Sequence, residues 1–72
     1  MKLIDKLIKI IPSLDPVTFA GLAKILGVEL YNQETKEPYD FTFVLGQILQ
    51  AFEVKDRKFK RELLTILKKG IK

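Results

Sequence analysis

Arg57, Lys58, Arg61, Lys68, Lys69 and Lys72 crowd the end of this 72-residue chain, and the chemistry open to them is the holding of anions. A guanidinium donates paired hydrogen bonds to phosphate or carboxylate, while a lysine ammonium acts there as a point charge. Spacing matters as much as type. At about 100° per residue, Arg57, Arg61, Lys68 and Lys72 fall close to one line of a helix, with Lys58 and Lys69 just beside it. Phe59, Leu63 and Ile66 fall opposite. The pattern is that of a helix held down on its apolar side and showing cations to solvent. Cations grouped in this way release counterions together when they meet phosphates, which is the sequence-independent part of nucleic-acid binding. A purely structural use competes with it. Any helix with one apolar face must be polar elsewhere, and Lys68 and Lys69 in the last turn also favour the negative end of the helix dipole.

The remaining composition removes most other chemistry. The chain has no His, no Cys and no Trp. Without histidine it lacks the usual acid–base group near neutral pH and the commonest metal ligand. Without cysteine it has no thiolate nucleophile, no disulfide and no Cys-based metal or haem site. The only serine, Ser13, has no histidine to activate it. The carboxylates Glu29, Glu34, Glu37 and Asp40 lack the alternating acids and central glycine of a calcium loop. No Gly-rich phosphate loop is present. The expectation is a protein that is not an enzyme and takes no metal or cofactor.

Charge is distributed unevenly along the chain. Residues 1–54 carry five lysines and seven acids, a net of −2; residues 55–72 carry eight basic residues and two acids, a net of +6. The formal total of +4 is therefore a mildly acidic body joined to a strongly basic end.

Four amphipathic stretches are available to position these groups. Leu3, Ile4, Leu7, Ile8 and Ile11 share one helical face, with Lys2, Asp5, Lys6 and Lys9 opposite, and Pro12 is expected to end the helix. Asp15 and Pro16 suit the N-cap and first position of a second helix, with Leu14 and Phe19 as its hydrophobic staple. Gly27 suits its left-handed C-terminus. Lys24 is the only charge between those caps, so this helix is expected to be the buried centre. Asp40 is expected to cap a third helix, with Tyr39 and Val44 as its staple and Phe41, Val44, Leu45, Ile48, Leu49 and Phe52 on one face. The fourth runs from about Asp56 to Lys69 and stops at Gly70, with Phe59, Leu63, Ile66 and Leu67 inward and Leu64 at the edge. Val28–Tyr31 and Tyr39–Val44 are also rich in aromatic and β-branched residues, so a short hairpin competes there. The fold expected is all-α: a single helical domain over 1–72 with four short helices at about 2–11, 16–26, 40–53 and 56–69, and an acidic loop at 29–39.

Phe19-Ala20-Gly21-Leu22-Ala23-Lys24-Ile25-Leu26-Gly27-Val28 resembles the first helix and turn of a DNA-binding helix-turn-helix. Ala23, Gly27 and the apolar Leu22, Leu26 and Val28 match that half of the motif. The second half departs from it, because Gln33 and Lys36 stand where a recognition helix would bury apolar residues, and Pro38 follows. A second kind of surface lies around Phe43, which falls off the apolar stripe of its helix beside Gly46, Gln47 and Gln50. An exposed aromatic next to a glycine suits contact with another chain or another copy. The first helix has the outline of an interfacial membrane anchor but carries no aromatic residue, and Asp5 interrupts its basic face. No apolar run approaches the ~18 residues of a membrane span, and early charges argue against a secretory signal.

Taken together, the expectation is a soluble, cytoplasmic binding protein without membrane or metal partners. Its last helix would offer Arg57, Lys58, Arg61, Lys68, Lys69 and Lys72 to an acidic partner, foremost nucleic-acid phosphates bound weakly and without strong sequence specificity. The alternative is a protein-interaction adaptor or homo-oligomer using Phe43, Gly46, Gln47 and Gln50.

Overall fold

Proline, aspartate and glycine punctuation sets the helix boundaries in the computed structural model, which describes residues 2–69. Helix α1 spans Leu3–Ile10, α2 Pro16–Ile25, α3 Phe41–Glu53 and α4 Arg57–Lys69. These bounds lie within a residue of the predicted ones. Pro12 does not end α1 outright. The chain tightens into a 3-10 turn over Ile11–Ser13, closed by the Leu14 N–H donating to the Ile11 carbonyl at 3.1 Å. Proline fits such a turn because its fixed φ is helical and the N–H it lacks is not needed at the first positions.

At the start of α2, an Asp15 side-chain oxygen accepts from the Thr18 N–H at 2.8 Å, and Pro16 takes the first helical position. At its end Gly27 adopts φ +74°. The Val28 N–H donates to Ala23 at 2.8 Å and the Gly27 N–H to Lys24 at 3.1 Å, the paired bonds of a Schellman ending. Asp56 caps α4 through Oδ1, which accepts from the Phe59 N–H at 2.7 Å. Asp40 holds the corresponding position before α3 but makes no side-chain cap bond; only its carbonyl accepts, from the Val44 N–H at 3.0 Å. The predicted stop at Gly70 lies outside the described residues.

Between α2 and α3 the acidic loop folds on itself. Asn32 Oδ1 accepts from the N–H groups of Glu34 at 2.8 Å and Thr35 at 3.2 Å, and Lys36 sits at φ 64°. The hairpin alternative is reduced to one antiparallel bridge, Tyr31 with Pro38. The Tyr39 N–H donates to Leu30 at 2.9 Å and the Asn32 N–H to Glu37 at 2.8 Å, and the pairing goes no further because Phe41 already belongs to α3.

All four helices contribute to one core: Leu7 and Ile10 from α1, Leu22 and Ala23 from α2, Val44, Ile48 and Phe52 from α3, and Leu63, Leu64 and Leu67 from α4. Three packing expectations are corrected. The second helix is not the buried centre, since Val17 is 80% and Ile25 52% exposed. Its inward residues include Ala20, Gly21 and Ala23, which offer little apolar area, and it is α1 that packs against both α3 and α4. On α4, Leu64 is 4% exposed and Ile66 59%, the reverse of the predicted arrangement. On α3, Phe41 leaves the core and is 57% exposed, while Val44, Ile48 and Phe52 remain within it. The molecule measures 38 × 28 × 17 Å. Its thin axis takes two helix layers at about 8–10 Å spacing and not a third, so the outer faces stay open.

Candidate functional site

The exchange of Leu64 for Ile66 changes where the basic line of α4 points. Taking Arg57 as zero and about 100° per residue, Arg61 falls near 40°, Lys68 near 20° and Leu64 near −20°. Burying Leu64 therefore turns the cation line away from open solvent and towards the seam with α1. Helix α1 meets it with its own basic flank, because Leu7, Ile10 and Ile11 are buried and Lys2 and Lys6 lie to one side of them. The result is an open groove of about 440 Å³ lined by Lys2, Leu3, Lys6, Arg57, Arg61, Leu64, Thr65 and Lys68. Five cations thus border one groove with leucines among them, and among the described residues its lining contains neither a carboxylate nor an aromatic ring.

The charges of the basic segment have divided roles. Lys60 Nζ pairs with Glu53 Oε1 at 3.0 Å and lies 5.7 Å from the centre of the Phe52 ring, so it is committed to the junction of α3 and α4. Lys55 lies 5.6 Å from the centre of the Phe59 ring. In contrast, Lys2, Lys6, Arg57, Arg61 and Lys68 form no ion pair among the described residues. The Thr65 hydroxyl donates to the Arg61 carbonyl at 3.0 Å, so its proton is not offered to the groove. Glu62 borders the outer side of Arg61, beside Thr65 and Ile66.

Three of the six predicted cations, Arg57, Arg61 and Lys68, stand together in the groove. Lys58 and Lys69 are exposed but do not line it, lying some 100–120° round the helix from Arg57 and so well away from the line they were expected to flank. Lys72 lies outside the described residues. Spacing alone places Lys2 and Lys6 on the polar face of the first helix; their partnership with α4 depends on a contact across more than fifty residues, which local periodicity cannot show. The helix-turn-helix resemblance is not completed. After the Gly27 cap the chain enters the Asn32 turn, and the next helix begins only at Phe41.

No protein-family model, curated protein or solved structure matches this chain.

The Phe43 surface is also formed. Phe43 is 50% exposed, its ring centre lies 5.1 Å from that of Tyr39, and with Gln47 and Gln50 it walls an open hollow of about 480 Å³. Gly46 is exposed but takes no part in that wall. Among the described residues no group of three or more carboxylates is placed to hold a metal ion, and no helix is long and apolar enough to cross a membrane.

Proposed function

We propose that this chain is a non-enzymatic nucleic-acid-binding protein that grips phosphates along the α1–α4 groove without strong sequence preference. The observation that supports this is the set of five cations around one groove, unpaired among the described residues and with no acid in the lining. Arg57 and Arg61 lie one helical turn apart and can each fork onto a phosphate oxygen pair. Lys2, Lys6 and Lys68 add point charges at the border. Among the described residues the lining has no ring on which a base could stack, so the groove suits the backbone of a duplex better than the bases of a single strand. Contacts of this kind position a protein on the duplex and carry no base information.

Five neutralised phosphates imply a slope of log K against log[salt] of about −4 to −5. Affinity for a labelled duplex, followed by fluorescence anisotropy, should then fall roughly 500-fold between about 50 and 200 mM NaCl. Arg61→Gln should shallow the slope by about 1, whereas Lys60→Gln, at a cation already held by Glu53, should leave it unchanged. Absence of binding at low salt, or a slope indifferent to Arg61→Gln, overturns the reading.

A second reading, an adaptor contact with another protein or copy through Phe43, is supported by the half-exposed Tyr39–Phe43 ring pair beside Gln47 and Gln50. Aromatic rings flanked by amides are common anchors of polar-rimmed interfaces.

A further inference from the structure

The hollow beside Phe43 has a chemistry opposite to that of the cation groove. Phe43, Gln47 and Gln50 follow one another at i, i+4 and i+7, so they share one face of α3. That face, with Tyr39 and Glu29, walls an open hollow of about 480 Å³. The Phe43 and Tyr39 ring centres lie 5.1 Å apart with the planes at 45°, and Phe43 is 50% exposed, so ring surface is left uncovered. Glu29 is exposed and forms no ion pair among the described residues. Helix α2 ends at the same place, with its C-cap Leu26 and the following Gly27 both in the lining. The carbonyl end of a helix carries partial negative charge and favours a cation. No lysine or arginine lines this hollow among the described residues.

We propose that the hollow receives an arginine side chain from a basic segment of a partner protein. The inference rests on the Phe43 contact put forward above and names the chemistry of what that contact holds. Charge complementarity sets the sign. An anion would meet the Glu29 carboxylate and the negative end of α2, and a neutral apolar anchor would leave the carboxylate and two amides facing it without partners. A cation satisfies all three and also sits favourably over the face of an aromatic ring. Geometry then selects arginine over lysine. A planar guanidinium can stack on Phe43 while its forked N–H groups donate to the Glu29 carboxylate and to the Oε1 of Gln47 or Gln50. An ammonium is a point charge that cannot stack and fork at once. The openness of the hollow points to a protein as the source of the guanidinium. Sites for small free ligands bury most of the ligand, whereas a peptide adds contacts along the rim.

An NMR titration of the nitrogen-15-labelled full chain at low salt tests this, using a blocked glycine–serine peptide that carries one arginine. Its citrulline version keeps the shape and loses the charge, and a lysine version keeps the charge and loses the fork. The arginine peptide should shift the backbone signals of Glu29, Phe43, Gln47 and Gln50. The citrulline peptide should bind at least about tenfold more weakly, and the lysine peptide more weakly than the arginine one. Glu29→Gln and Phe43→Ser should each weaken binding of the arginine peptide roughly fivefold, the size of an exposed ion pair or cation–π contact. Both side chains are exposed, so the helical circular dichroism signal should be retained. Arg61→Gln should leave this binding unchanged, which keeps the phosphate reading separately visible. Equal binding of the arginine and citrulline peptides overturns the proposal, as do unshifted signals at these residues or indifference to Glu29→Gln. If binding then still falls with Phe43→Ser, the Phe43 contact survives as an apolar one; if neither substitution matters, both readings fall.

Discussion

Asp56 and Asp40 occupy equivalent places before α4 and α3, yet only one closes its helix with a side chain. Asp56 Oδ1 takes the Phe59 N–H at 2.7 Å, whereas Asp40 contributes nothing beyond a backbone carbonyl. Loss of an N-cap acceptor costs about 1 kcal/mol, and for a domain of this size that lowers Tm by roughly 4–8 °C. Asp56→Ala should show that drop in thermal denaturation, Asp56→Asn should largely avoid it, and Asp40→Ala should change Tm by no more than about 2 °C. Equal losses at Asp40 and Asp56 would contradict the hydrogen-bond assignment. Residue-scale signals of this sort were the most legible in the chain. Asp15 with Pro16 and the glycine at position 27 act through their own few neighbours, so type and spacing suffice. Asp40 shows the limit: the residue type marks the helix start correctly, but whether its carboxylate turns inward is decided by the loop that delivers it.

At the scale of elements, the informative case is the rotation of α4. Phe59, Leu63, Leu64, Ile66 and Leu67 cover an arc of about 160°, with Ile66 at one edge and Leu64 at the other. Periodicity locates the arc but cannot say which edge is covered, because that depends on the helix packed against it. Helix α1 packs against α4, and Leu64 is the edge that lies beside it in the groove. The same contact brings Lys2 and Lys6 to Arg57, Arg61 and Lys68, so the burial of Leu64 and the gathering of the two lysines have one cause. The three groove cations of α4 were legible because they lie within one helix; the two from α1 were not. Truncation separates the two orientations. Leu64→Ala removes a buried side chain and should cost about 2–5 kcal/mol in denaturant unfolding, whereas Ile66→Ala should cost less than about 1. The opposite order would return the cations of α4 to open solvent and remove the groove.

For the whole molecule, the distribution of charge makes salt act in two directions. The five groove cations have no ion-pair partner among the described residues, so they repel one another in the free protein. Exposed charges a few ångströms apart interact by up to about 1 kcal/mol in water, and the Debye length shrinks from about 30 Å at 0.01 M salt to about 3 Å at 1 M. Screening should therefore relieve a repulsion that sums to about 1 kcal/mol, raising Tm of the free protein by roughly 4–8 °C as NaCl is added. The double variant Lys6→Gln with Arg61→Gln removes two of the five charges and should lose more than half of this response. Under the proposed phosphate binding, added duplex should reverse the sign. At low salt its phosphates would stabilise the folded chain by mass action, and added salt would weaken binding faster than it relieves repulsion. Tm measured with excess duplex should thus start above that of the free protein, fall with salt and converge on the free-protein curve. Circular dichroism melts across a salt series, with and without duplex, distinguish the outcomes. A free-protein Tm indifferent to salt would mean that the cations are neutralised within the fold, and the groove would then lack the unbalanced charge on which the proposed phosphate binding depends.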